Sequence, residues 1–310
     1  MDHSYSMGRR VWRIIYPPVL FIVVQFVIMG IVGFVISMYS LIDSAATAPA
    51  VYDVEIMLEE AVRFSTERSM LILLISNVVN FAVFLPIWMR TRSYHDPYKN
   101  DKPITIFLLV IGLFAAFNII QMMLFALTDV MKYFPTYEEV SDIFVTDSLP
   151  VQVLSIGIAA PVVEELIYRG ILISRMKWLP AWAAVLIQAV IFGAVHLNVF
   201  QGLYAFVAGL LLGMVYVKFK SILLTIGGHM AYNLVSVFLG EFASDAAAGI
   251  VVVLSIVVLP VCAIWLIKFK KARKLLTEHD LLPSPVYAPI DPWTKYTSMD
   301  TWNRNDNSQQ

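Results

Sequence analysis

The chain has 310 residues, 59% hydrophobic and only 15% charged, against roughly 45–50% and about 25% for soluble domains. That composition predicts an all-α, polytopic membrane protein, a helical bundle of about eight transmembrane helices. The formal net charge of -1, with basic residues confined to short clusters between apolar runs, excludes nucleic acid as a partner.

A spanning helix needs about 20 apolar residues. The first such run, Val19–Ile42, follows Arg9, Arg10 and Arg13 and is trailed by "SAATAPA". Its apolar stretch exceeds the roughly 7–15 residues of a cleaved signal, so it is expected to be a retained signal anchor. Val51–Arg68 is expected to form an external interfacial helix. Two more spans, Met70–Met89 and Ile104–Thr128, complete an N-terminal region over residues 1–149. Residues 150–240 carry Val151–Ser174, Ala181–Val199, Gly202–Val217 and Ile222–Leu239. A last span, Ala247–Ile267, ends in a basic cluster within 241–275, and holds Cys262, the single cysteine. That count excludes an intrachain disulfide and makes Cys262 a small buried hydrophobe. Residues 276–310, rich in Pro, Ser, Asp and Asn, are expected to be a flexible cytoplasmic tail.

Lys and Arg mark one side. Arg9, Arg10 and Arg13 precede the first span, and Arg90, Arg92, Lys99 and Lys102 follow the second. Arg175 and Lys177, Lys218 and Lys220, and Lys268 to Lys274 follow the fourth, sixth and eighth. Glu59, Glu60, Glu138, Glu139 and Glu241 lie in the opposite loops. The basic side is expected to be cytoplasmic, with both termini on it, in a cell membrane.

Ionisable residues inside spans are the informative ones, since each costs about 2.5–3.5 kcal/mol at mid-bilayer. "AAPVVEELIYRGILISR" holds Glu164, Glu165 and Arg169. Facing lipid unpaired, the three would cost roughly 8–10 kcal/mol, so they face inward. Glu165 and Arg169, four apart, share a helical face and can pair, while Glu164 is rotated about 100° away. Two of the five histidines lie in later spans, His196 in "FGAVHLN" and His229 in "GGHMAYN". His229 and Asn233 share a face, and Gly227 and Gly228 just before them permit close backbone approach.

Together these residues suit peptide hydrolysis without a covalent nucleophile. A carboxylate and an imidazole converging on a water can deprotonate it and later protonate the leaving amine. A second imidazole and an amide placed opposite can stabilise the oxyanion, at about 3–4 kcal/mol per donor. Glu164 is the base candidate and Glu165 the anchor. The competing chemistry is a catalytic zinc site, or another divalent metal, held by Glu164, His196 and His229. No H-E-x-x-H helix is present and asparagine is an uncommon zinc ligand, which suits His229 and Asn233 to a donor pair. A rise of 1.5 Å per residue from the cytoplasmic ends puts Glu164 at roughly 16 Å and His229 at roughly 12 Å, but His196 at roughly 24 Å.

Blander roles exist for each residue taken singly. An intramembrane Glu–Arg pair can simply pin helices, and a lone histidine can be a packing residue. Asn77, Asn80, Asn118, Gln121 and Gln188 read as interhelical hydrogen-bonding residues, and Gly209 and Gly213 as small-residue packing.

In order and spacing, E-E-x-x-x-R at Glu164, Glu165 and Arg169, F-x-x-x-H at Phe192 and His196, and H-x-x-x-N at His229 and Asn233 resemble the CPBP family. This family comprises CAAX prenyl endopeptidases and the abortive-infection and bacteriocin-immunity membrane proteases. The resemblance covers Pro150 to Leu239 and implies an intramembrane endopeptidase. It implies that Glu164 with His196 activates water, that His229 and Asn233 form the oxyanion hole, and that Glu165, Arg169 and Phe192 support the site. Members are widely described as metalloproteases, so the metal question stays open. The implied partners are the bilayer and a membrane-associated peptide or protein substrate, prenylated in the CAAX branch. A proton-coupled transporter also uses intramembrane Glu and His but predicts an inverted repeat, which the first half lacks. A non-catalytic scaffold or immunity protein is the third alternative. Neither a G-x-S-x-G elbow nor a G-x-G-D motif occurs in the spans.

Overall fold

The computed structural model describes residues 6–47, 54–92, 98–128, 130–134, 148–242, 245–270 and 273–274. The chain folds as a polytopic helical bundle, in agreement with the all-α expectation. Helix α1 covers Met7–Thr47, α2 Val54–Thr66, α3 Ser69–Arg92 and α4 Pro103–Thr128. Helix α5 runs over Leu149–Ile173, α6 over Ala181–Ala194 and α7 over Val199–Phe219. Helices α8, Ile222–Phe242, and α9, Asp245–Lys268, complete the bundle. A two-residue antiparallel ladder pairs Tyr98–Lys99 with Arg273–Lys274. The expected interfacial segment corresponds to α2, which packs on α1. The expected tail lies outside the described residues.

Seven of these helices are long and apolar enough to cross a bilayer. Their outer faces keep large apolar side chains exposed, such as Phe26, Ile31 and Phe34 on α1 and Val253, Val257 and Ile264 on α9. A surface of that kind matches hydrocarbon as its solvent. The expected span Ala181–Val199 is corrected. Helix α6 stops after 14 residues, about 21 Å of rise against a core of about 30 Å. The chain turns at Val195–Asn198, where Leu197 takes a φ of 55° and the Asn198 side chain caps α7 by accepting from the Gln201 N–H at 3.0 Å. Two residues counted as helical rise in the depth estimate for His196 therefore belong to a turn.

Helices α6 and α7 form a tight hairpin because glycine sits where they touch. A Cβ on Gly193 would lie 2.6 Å from the Gly202 carbonyl oxygen, and one on Gly209 would lie 3.3 Å from the Ala189 Cα. Small residues give α6 and α7 their approach, as expected of Gly209 and Gly213. Helix α3 runs parallel to α5: Ser155 Oγ meets Met70 Sδ at one end, and Gly170 makes room for Trp88 at the other. Both helices are followed or closed by basic residues, Arg90 and Arg92 on α3 and Arg175 and Lys177 after α5. Side-chain bonds across helices are those expected of the intramembrane amides. Asn80 donates to Gln25 at 2.8 Å, Asn118 to Ser236 at 2.8 Å and Gln188 to the Gly209 carbonyl at 2.8 Å, while Gln121 accepts from Tyr232 at 2.6 Å. The Asn77 amide nitrogen is buried with no hydrogen-bond partner. Cys262 is a free, buried thiol against Gly112.

Candidate active site

Helix α5 is not wound as an α-helix throughout. Val153–Ala159 and Leu166–Ile173 make i→i+5 hydrogen bonds, and only Ala160–Glu165 between them is α-helical. Such widened turns cluster at functional sites. Here the first one leaves a carbonyl without a helical donor. The Ala160 N–H goes to Ser155 O, and Pro161, the next position, has no N–H. Ile156 O is taken instead by the Asn233 amide of α8, which donates to it at 2.8 Å. Asn233 therefore ties α8 to the glutamate helix with one of its two amide hydrogens, leaving the second.

Glu165 and Arg169 are both fully buried and joined at 2.6 Å, the ion pair their spacing allows. The guanidinium also donates to Gly209 O at 3.4 Å and lies 4.8 Å from the Phe192 ring centroid. The same Glu165 oxygen binds His229 Nδ1 at 2.9 Å. A carboxylate already paired with a guanidinium can only accept, so His229 Nδ1 carries the proton and Nε2 is turned toward the site. Nε2 lies 3.6 Å from Glu164 Oε2. When neutral, this is an imidazole lone pair facing a carboxylate, two acceptors that call for a proton or a water between them. Glu164 is the accessible member of the pair, its side chain 16% exposed against 0% for Glu165.

His196 enters by a different route. In the turn after α6 its Nδ1 meets Phe192 O at 2.7 Å, a carbonyl left over at the helix end. A carbonyl accepts, so Nδ1 again holds the proton and Nε2 is the free nitrogen. His196 makes no hydrogen bond or ion pair with Glu164 or Glu165. It joins the cluster through Phe192, whose ring stands edge-on to His196 at 5.0 Å and to His229 at 5.8 Å. Phe192 thus forms one wall shared by both imidazoles, the Arg169 guanidinium and Tyr168, whose ring lies 4.9 Å away.

Glu164, Glu165, Arg169, His229 and Phe192 are therefore brought into direct contact, with Asn233 one turn along α8 and His196 across the aromatic wall. The i→i+5 winding and the place of Tyr168 have no signal in the spacing of the motifs. Among the described residues no three His, Cys, Asp or Glu side chains converge at metal-ligand spacing. On the neighbouring face of α8 an apolar cleft of about 510 Å³ opens between α4 and α8, lined by Phe107, Ile111, Met230, Leu234 and Phe238 among others.

Residues 146–235 match the family model described as type II CAAX prenyl endopeptidase Rce1-like. The match agrees with the CPBP resemblance, spans all the motif residues, and places that segment in a protease family. No curated protein and no solved structure matches the chain.

Proposed function

We propose that, built around its Rce1-like segment, the chain is an intramembrane endopeptidase that hydrolyses a peptide bond of a membrane-associated protein or peptide with a water activated by Glu164. The observation that carries this reading is the contact of both glutamates of α5 with one imidazole of α8, at 2.9 and 3.6 Å. Glu165, neutralised by Arg169, orients His229. Glu164, part-exposed and without a hydrogen-bond donor among the described residues, is left as the base. It takes a proton from water, the hydroxide adds to the scissile carbonyl carbon, and Glu164 returns the proton to the amine as the C–N bond breaks. His196 Nε2, which makes no hydrogen bond among the described residues, assists from across Phe192. Doubly protonated His229 and the second amide hydrogen of Asn233 supply the oxyanion donors. The apolar cleft beside α8 suits the lipid group of a prenylated substrate. Both termini lie on the cytoplasmic side of the cell membrane in this reading, supported by the basic loops.

The test is reconstitution of purified protein with a fluorogenic membrane peptide. Glu164→Gln and His196→Ala are expected to abolish cleavage while leaving the protein folded, and undiminished cleavage by either refutes the assignment. Loss of activity in folded variants also separates an enzyme from a scaffold that keeps these residues for folding.

A zinc-dependent version held by Glu164, His196 and His229 is the second reading. What favours it is the geometry shared by both imidazoles, each with Nδ1 tied to an acceptor and Nε2 turned away from it, the pattern of metal-binding histidines. The three side chains do not converge as ligands among the described residues, so the donor set does not fit a closed three-ligand site. Prolonged chelation is expected to leave activity within about twofold of the untreated enzyme; loss of activity restored by zinc alone would establish the metal.

A further inference from the structure

The E-E-x-x-x-R spacing passes over Tyr168. Its side chain is completely buried, and its hydroxyl has no hydrogen-bond partner. An unpaired buried polar group costs about 1–3 kcal/mol, and such an orphan in a native site points to a partner acquired at another stage. Tyr168 stands four residues after Glu164, about one helical turn, and directly before Arg169 in α5. Its ring packs edge-on against Phe192 at 69°, the ring that gathers the two imidazoles.

Most donors around it already have an acceptor elsewhere. Arg169 Nη1 serves Glu165 and Nη2 serves Gly209 O. His229 Nδ1 serves Glu165 and Asn233 serves Ile156 O. Arg169 Nε also lacks a partner, but its guanidinium is fixed by two bonds and by Phe192. Among the described residues Glu164 accepts no hydrogen bond, and His229 Nε2 lies 3.6 Å from it. An unspent donor and an unspent acceptor thus stand one turn apart. No water-sized space adjoins the hydroxyl, so a side chain that can swing is a better partner for it than solvent.

We propose that Tyr168 is a positioning residue for the base: its phenol O–H donates to the Glu164 carboxylate when that side chain turns from His229 toward the attacking water. The bond fixes which carboxylate oxygen receives the water's proton. This inference rests on the endopeptidase reading above.

Tyr168→Phe removes one oxygen and no hydrogen bond within the protein, so the thermal midpoint in detergent is expected to hold or rise. With the fluorogenic membrane peptide, kcat falls about 10- to 100-fold, the range of one hydrogen bond to a charged group, while KM stays within about twofold. A kcat within about twofold of wild type overturns the proposal, as does a fall that tracks a lowered midpoint. Glu164→Gln is run alongside. Wild-type cleavage lost in Glu164→Gln but kept in Tyr168→Phe removes the role of Tyr168 alone; wild-type protein that cleaves nothing removes the endopeptidase reading and this proposal with it.

Discussion

Replacing Arg169 by methionine keeps an unbranched apolar stem, removes the terminal guanidinium and deletes its charge from beside the Glu165 carboxylate. Arg169 and Glu165 are both at 0% exposure and 2.6 Å apart, so no water reaches the carboxylate once the guanidinium is gone. Removing one partner of such a buried pair costs about 3–5 kcal/mol, most of it the uncompensated charge. The cation–π contact with Phe192 at 4.8 Å adds about 0.5–2 kcal/mol. The 3.4 Å bond to Gly209 O contributes less, because Gln188 also donates to that carbonyl at 2.8 Å. Arg169→Met is therefore expected to lose about 4–6 kcal/mol of stability, enough to unfold a marginal protein. Arg169→Met with Glu165→Leu should recover several kcal/mol of it, since two apolar groups leave no buried charge. Reversible unfolding in mixed micelles followed by tryptophan fluorescence suits the measurement, because Trp88 packs on Gly170 next to the pair. A loss below about 1 kcal/mol for the single variant, or no recovery in the double, would refute the view that this pair is held dry.

Gly193→Ala would put a methyl 2.6 Å from the Gly202 backbone oxygen, so α6 and α7 must part. The expected loss is about 1–3 kcal/mol, with a larger loss of cleavage because His196 follows three residues later; an active, equally stable variant counts against the hairpin packing. Gln25→Leu leaves Ser76 and Asn80, both buried, without the Gln25 oxygen that accepts from them at 2.9 and 2.8 Å. It should lower the unfolding free energy by about 1–3 kcal/mol without changing KM. Asn233→Ala strips Ile156 O of its donor and, in the proposed mechanism, removes an oxyanion donor. The midpoint should fall modestly and kcat by about 10²–10³; a stability loss without a rate loss would make Asn233 a structural tie only.

How much of the site the sequence holds depends on whether a relation is local. The Glu165–Arg169 pair follows from four-residue spacing on a helix and is formed at 2.6 Å. The interhelical roles of Asn80, Asn118, Gln121 and Gln188 follow from polarity inside apolar runs, since an amide in hydrocarbon gains from a partner on another helix, whereas the Asn77 amide nitrogen has none among the described residues. Helix α6 is shorter than its apolar run because Val195 and Val199 extend that run past the turn set by Leu197 and Asn198. Hydropathy measures solubility in lipid, and Val195, Leu197 and Val199 carry the apolar run across the turn despite His196 and Asn198.

Apolar run lengths, charge bias and the three motifs determine by themselves that this chain is a membrane helical bundle, and which residues are candidates for its chemistry. Only the tertiary structure decides that His229 lies between both glutamates, that both imidazoles hold their protons on Nδ1, that Asn233 serves the carbonyl Pro161 cannot, and that Tyr168 is left with an unspent hydroxyl. The reason is physical. Helices that are apolar nearly all round carry no polar stripe to specify which face turns inward, so their rotation and the hydrogen bonds it permits are fixed by glycine contacts and packing between segments far apart in the chain.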